Sequence, residues 1–236
     1  MNAVLRNLYD NIINLLYEPQ CPFEVEAECS INDYYSPGIY QGKVCNFCFN
    51  EFVDLNVSPR EGLENLQKVY ASAEYKDNCK TIIKKLKWSN PKLAGPIAEL
   101  MHYKLTCTAP FLEFDSIVPV PGMPDEESTG AHSVLLAKEL AKIYRKPFWE
   151  PLKKLKETNL HKCAKLQRKE VIQGAYALKQ SSEMGAEQLM IKPKTVLLVD
   201  DIVTTGITLS TCAGLIKQLN NSNQIFAVTY ASVTST

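Results

Sequence analysis

The chain has 236 residues, is 45% hydrophobic, and balances 26 basic residues against 26 acidic ones. That apolar content, with ordinary Gly and Pro fractions, excludes a disordered chain, and a net charge of zero excludes a globally basic nucleic-acid binder while leaving a local basic patch open. No apolar run reaches the ~18–20 residues of a membrane helix, and at roughly 100–200 residues per domain the length suits one generous domain or one domain with a small appendage.

In residues 3–17, Val4, Leu5, Leu8, Ile12, Ile13 and Leu16 follow helical spacing on one face. Arg6 is the lone positive charge there and Asp10 interrupts the apolar stretch, so it does not read as a secretory leader. The expectation is a cytoplasmic protein.

Eight cysteines are unevenly placed, with Cys21, Cys29, Cys45 and Cys48 before residue 50. Without a secretory leader, a disulfide framework is not expected. Cys45-Asn-Phe-Cys48 is a knuckle whose short turn aims two thiolates at one point, half of a tetrahedral zinc site. Cys21 and Cys29 could supply the other half, although seven residues separate them instead of the usual two to four. Structural zinc is the favoured reading and free thiols the alternative. Redox use is disfavoured, because no βαβ pattern surrounds the knuckle. Cys79, Cys107, Cys163 and Cys212 sit in apolar or mixed segments and read as small core residues.

Residues 18–62 are rich in turn formers and read as a small knuckle domain, residues 1–62, ahead of a larger one, 63–236. Helical patterning returns over 76–104, with Ile82, Ile83 and Leu86, then Ile97, Leu100 and Met101. Lys87 in that stretch reads as a surface lysine. From about residue 114 short apolar runs alternate with helices. Strands are expected at 116–120, 147–152, 175–179, 195–200 and 224–230, and helices at 133–144 and 209–219. Residues 180–193 read as a loop. Such alternation implies an α/β fold, a twisted parallel sheet with helices on both faces.

Charge is segregated. Residues 1–66 hold three basic residues against ten acidic ones, a net of −7, while residues 138–169 hold eleven against three, a net of +8. The second segment is either a solvated face or an anion-facing surface. His132 and His161 are lone histidines and read as surface or satisfied residues.

The stretch that carries chemistry is Thr195-Val-Leu-Leu-Val-Asp-Asp-Ile-Val-Thr-Thr-Gly-Ile-Thr208. A buried strand leads to Asp200 and Asp201, then a hydroxyl- and glycine-containing turn, then a helix. In open α/β sheets ligands bind at the carboxyl ends of strands. A helix start there aims free N–H groups and positive potential at one spot, which suits a phosphate. Gly206 would let backbone and ligand approach closely, and Thr204, Thr205 and Thr208 can donate hydroxyl hydrogen bonds. Two carboxylates beside a phosphate fit if they accept hydrogen bonds from sugar hydroxyls, with Mg²⁺ softening the field. A receiver-type acidic pair is excluded, since only 35 residues follow Asp201.

Val199-Asp-Asp-Ile-Val-Thr-Thr-Gly-Ile-Thr208 resembles the 5-phosphoribosyl-1-pyrophosphate (PRPP) signature of type I phosphoribosyltransferases. The order of an N-terminal helix, a Cys knuckle, Tyr75 before Ile82-Ile-Lys-Lys-Leu-Lys-Trp88, Ile117-Val-Pro-Val-Pro121, Leu135-Leu-Ala-Lys-Glu-Leu140 and the PRPP signature resembles the ComF family over nearly the whole chain. The resemblance implies a type I phosphoribosyltransferase fold with a small N-terminal Cys-rich, zinc-finger-like domain. It implies that Asp200 and Asp201 contact the ribose hydroxyls and serve catalysis. Ile202, Val203, Thr204, Thr205, Gly206 and Thr208 would bind PRPP around its 5-phosphate. Val120, Pro121 and Gly122 would form the pyrophosphate loop, and the basic stretch 153–174, with Arg168, a loop closing over PRPP. Departures follow the Pro-Val-Pro turn, where Asp125, Glu126 and Glu127 stand in place of the family's arginines, and in the basic loop, where Val171 stands in place of Asn. Two readings follow. One is a Mg²⁺-dependent phosphoribosyltransferase with an unknown acceptor. The other is a non-catalytic protein that binds PRPP or a nucleotide monophosphate and handles single-stranded DNA during competence and DNA uptake.

Overall fold

The structure, a computed structural model, describes residues 21–23, 44–122, 132–156, 172, 174–219 and 224–233. The expected helix at 3–17, Cys29, Cys163, the acidic turn after Gly122, and His161 and Arg168 of the basic stretch lie outside the described residues.

Four parallel strands form one sheet in the order β1-β6-β5-β2: β1 (Val69–Glu74), β2 (Ser116–Pro119), β5 (Thr195–Val203) and β6 (Gln224–Ser232). Their side chains alternate between two cores, as pleating requires. Leu197, Val199, Val228 and Tyr230 face one core, shared with α2 (Asp77–Trp88), α3 (Ala94–Thr108) and α4 (His132–Tyr144). Val196, Leu198, Ile225 and Ala227 face the other, shared with α6 (Ile207–Leu219). Helices therefore cover both faces, as the alternation of elements implies. Ile82, Ile83, Leu86, Ile97, Leu100 and Met101 are all buried. Each such side chain contributes roughly 1.5–3 kcal/mol. No described helix is long and apolar enough to cross a membrane.

The knuckle shares the first core. Cys45 caps α1 (Asn46–Phe52), accepting from the Cys48 N–H at 3.5 Å. Phe52 stacks edge-on against Phe23 at 5.1 Å, and Lys85 of α2 donates to the Phe23 carbonyl at 3.1 Å. Residues 21–23 are thereby tied to both helices.

Several boundaries differ from the sequence reading. β5 does not stop at Asp200: pairing with β6 continues through Val203↔Ser232, so both aspartates lie inside the strand. The expected strand at 147–152 is broken up. Phe148 makes one parallel bridge to Ile117, then Pro151, which has no N–H, precedes β3 (Leu152–Lys154). β3 pairs antiparallel with β4 (Tyr176–Leu178) in a separate hairpin. The expected loop at 180–193 contains a short helix, α5 (Ala186–Met190). Cys79 and Cys212 are buried as expected, but Cys107 is exposed. It lies on the outer side of α3, whose inner side carries Lys104 and Leu105.

Lys104 is fully buried, and among the described residues it makes no ion pair with a carboxylate. Its ammonium donates to the carbonyls of Asp54 at 2.7 Å and Val57 at 3.0 Å, and burial lowers its pKa. This fixes the chain between α1 and β1.

A candidate phosphate-sugar site at the sheet rim

Because all four strands are parallel, their C-terminal ends share one rim. The two sequence motifs meet there. Pro119 pairs with Val199, and the Val120 N–H bonds the Val199 carbonyl at 2.9 Å. Pro121 then ends the ladder, having no N–H to donate. β5 runs on past the end of β2, so that Val120 and Pro121 at one strand exit lie beside Asp200 to Val203 in the other strand. The Asp201 N–H, which points past the end of β2, is taken by the Asp200 carboxylate at 2.9 Å.

Strand periodicity sends the two acids to opposite faces. Asp201 turns toward the α2 and α4 side. There Lys87, in the last turn of α2, pairs with it at 2.5 Å, and His132 at the start of α4 sits 3.2 Å from the Lys87 carbonyl. Burial works against the Lys87 ammonium, but the Asp201 carboxylate outweighs it and the net shift is upward. Burial lowers the His132 pKa. Ser133 donates to the Val120 carbonyl at 2.5 Å and fastens the turn to α4.

Asp200 turns toward the α6 side, near Cys212 and Tyr176. Burial, then the adjacent Asp201 charge, push its carboxyl well above the usual carboxylate range. Tyr176, at the end of the hairpin, is hydrogen-bonded to Thr208 in the first turn of α6, and Lys154 lies over its ring at 5.9 Å.

The turn itself has Thr204 exposed, Thr205 half-buried and Gly206 buried at φ +78°. A Cβ on Gly206 would come within 2.5 Å of Leu63 Cδ1. Leu63 therefore packs against the turn on the side that a Cβ would occupy, which is one reason for a glycine here. The second reason, a backbone conformation that L side chains rarely adopt, stands on the positive φ. Arg60 donates to the carbonyls of Thr204 and Val233 and to Ser232 Oγ at 2.6 Å.

Lys87 is not the surface lysine that its local pattern suggested; its side chain is 29% exposed and ion-paired. Arg60, Leu63, Ser133 and Tyr176 had no local signal, since topology alone brings them to the rim. Of the basic stretch, Lys153 binds Glu183 at 2.6 and 2.7 Å and Lys154 lies over Tyr176.

A second constellation is the cysteine cluster. Cys21, Cys45 and Cys48 are buried, with sulfurs all within 4.8 Å of one another. The Cys48 thiol hydrogen-bonds Cys21, the largest of the effects that lower the Cys21 pKa to about 5, while burial raises Cys45 to about 11. Three such sulfurs could hold a metal ion. Cys29, the expected fourth ligand, lies outside the described residues.

No protein-family model matches the chain, and no curated protein matches it.

Proposed function

We propose that this protein is a phosphoribosyltransferase-like protein of the type I fold and the ComF family, binding PRPP with Mg²⁺ at the rim of its sheet. One observation carries the reading. The Val120–Gly122 turn, from a distant part of the sequence, meets the contiguous Asp200–Asp201 pair and Thr204–Thr208 turn at the C-terminal ends of the paired strands β2 and β5. In open α/β sheets that is where ligands bind.

In this reading the turn after β5 takes the 5-phosphate on its N–H groups and threonine hydroxyls, at the positive end of α6. Asp200 and Asp201 accept hydrogen bonds from the ribose hydroxyls. Pyrophosphate lies against Val120, Pro121 and Gly122, where it competes with Asp201 for Lys87. The oxygen donors of Asp200 and Asp201 suit Mg²⁺, which when bound would neutralise charge on the pyrophosphate and ribose oxygens. Transfer breaks the bond from ribose C1 to the pyrophosphate oxygen and forms one from C1 to the acceptor. No covalent nucleophile is required, so the protein contributes positioning and electrostatics. The cytoplasm is the compartment proposed, one that keeps free thiols reduced.

The Lys87–Asp201 pair also favours a second reading, because it already occupies one carboxylate: the site holds PRPP or a nucleotide monophosphate without transfer. Release of pyrophosphate in the presence of candidate acceptors separates the two. The sequence's single-stranded DNA partner is tested by a salt-dependent gel shift. The engagement of Lys153 and Lys154 within the protein does not favour it.

For the cysteine cluster we propose structural zinc, completed by Cys29. A tetrahedral site with Zn–S near 2.3 Å holds its sulfurs ~3.8 Å apart, so the cluster needs only a small contraction.

Isothermal titration tests the main reading. Saturable binding of PRPP with Mg²⁺ is expected, weakened at least about tenfold in Asp200→Ala. A wild-type protein that does not saturate with millimolar PRPP would discard it.

A further inference from the structure

The Arg60 guanidinium has no acidic partner among the described contacts; its three acceptors are the Thr204 carbonyl, the Val233 carbonyl and Ser232 Oγ. Thr204 opens the turn after β5. Ser232 ends β6 and Val233 follows it. One planar fork therefore ties the exits of two neighbouring strands together, a geometry that arginine's fixed donors provide and a lysine's single ammonium does not. The backbone of Arg60 is itself anchored, pairing antiparallel with Val69 at the start of β1 through bonds of 2.9 and 3.0 Å. Two further residues of the same segment reach the same region. Leu63 fills the space beside Gly206, and Asn65 donates to the Ser210 carbonyl at 3.4 Å.

We propose that Arg60 is a positioning residue for the phosphate-holding turn. The proposal rests on the PRPP reading above. A turn that holds phosphate does so with its N–H groups, and a carbonyl facing the anion would oppose it. Arg60 takes the Thr204 carbonyl and keeps that oxygen engaged on the protein side. Leu63 and Asn65 hold the next residues of the turn and the first turns of α6. Without the fork, the Thr204 carbonyl is free to rotate toward the ligand. The effect is local to the 5-phosphate. The pyrophosphate turn is fastened separately, by Ser133 on the Val120 carbonyl.

The test uses the full-length chain and two probes, ribose 5-phosphate and pyrophosphate with Mg²⁺, titrated calorimetrically into wild type, Arg60→Met and Arg60→Lys. Arg60→Met is expected to weaken ribose 5-phosphate at least about tenfold and to leave pyrophosphate within about twofold. Arg60→Lys is expected to show the same selective loss, smaller in size, and serves if Arg60→Met does not fold. Wild type that binds neither probe ends the functional reading and this proposal together. Wild type that binds ribose 5-phosphate while both variants bind it equally well ends the brace alone. Equal weakening of both probes also overturns it, because that is what a purely structural role produces.

Discussion

Lys87 Nζ lies 2.5 Å from Asp201 Oδ2, joining the last turn of α2 to the central strand β5 at the rim of the sheet. Both side chains are mostly buried, at 29% and 13% exposure, so the pair is worth more than an exposed one. Removing one partner leaves the other charge poorly solvated.

Lys87→Met is therefore expected to destabilise the fold by about 1–3 kcal/mol at pH 7, and Lys87→Met with Asp201→Asn by less than the sum of the two single changes. The upward shift of Lys87 means that its stabilising effect is fully present at pH 7 and disappears only as pH rises through its folded-state value. Urea denaturation of the four proteins measures the coupling. A coupling energy indistinguishable from zero would show that the pair contributes nothing to stability.

Asp200 gives a prediction with the opposite pH sense. Its folded-state pKa is raised by burial and by Asp201. Below the ordinary carboxylate range the group is neutral in both folded and unfolded chains, so no cost arises. As pH rises, the unfolded chain loses its proton first, and folding must then keep the acid protonated or bury a charge. Asp200→Asn should match wild type near pH 3, below the ordinary carboxylate range, and be more stable by about 1 kcal/mol or more at pH 8. Thermal melts across that range read the gap. A gap that does not change with pH removes the argument.

The elements legible in the sequence were those with strong apolar runs. Ile117-Val118, Val196 to Val199, and Ile225, Ala227 and Val228 are buried whatever their partners, so β2, β5 and β6 announce themselves. β1 does not, because Ala71, Ser72 and Ala73 are too small and too weakly apolar to read as a strand; its pairing with β6 makes it one. The last residues of β5 were missed for the same reason. Two aspartates look like a strand end, yet hydrogen bonding to β6 carries the strand through them. At the site, the acids and the threonine-glycine turn were visible as a continuous motif. Lys87 and Arg60 were not, since a charge's partner across the fold depends on topology that no local spacing encodes.

Metal analysis addresses the cysteine cluster. Purified protein should carry about one equivalent of zinc, and Cys48→Ser should lower both zinc content and thermal stability. Chelation should have the same effect on wild type, because Cys21, Cys45 and Cys48 are packed among Phe23, Phe49 and Phe52 in the first core. Less than about half an equivalent in wild type would count against a zinc site.

Gly206 provides a test of packing at the turn. Gly206→Ala introduces a Cβ within 2.5 Å of Leu63 Cδ1 and 3.0 Å of Cδ2, at a φ of +78°. Two separate costs follow, one steric and one conformational, each about 1 kcal/mol or more. Leu63 is a side chain and can be trimmed, whereas the backbone angle cannot. Leu63→Ala alone loses apolar packing in the second core. Combined with Gly206→Ala, it should recover the steric part and leave the conformational part, so the double variant is more stable than the two single losses added together predict. Denaturation midpoints of the four proteins measure this. Strict additivity would mean that Leu63 does not press on the turn, and the brace formed by residues 60–65 would then rest on Arg60 and Asn65 alone.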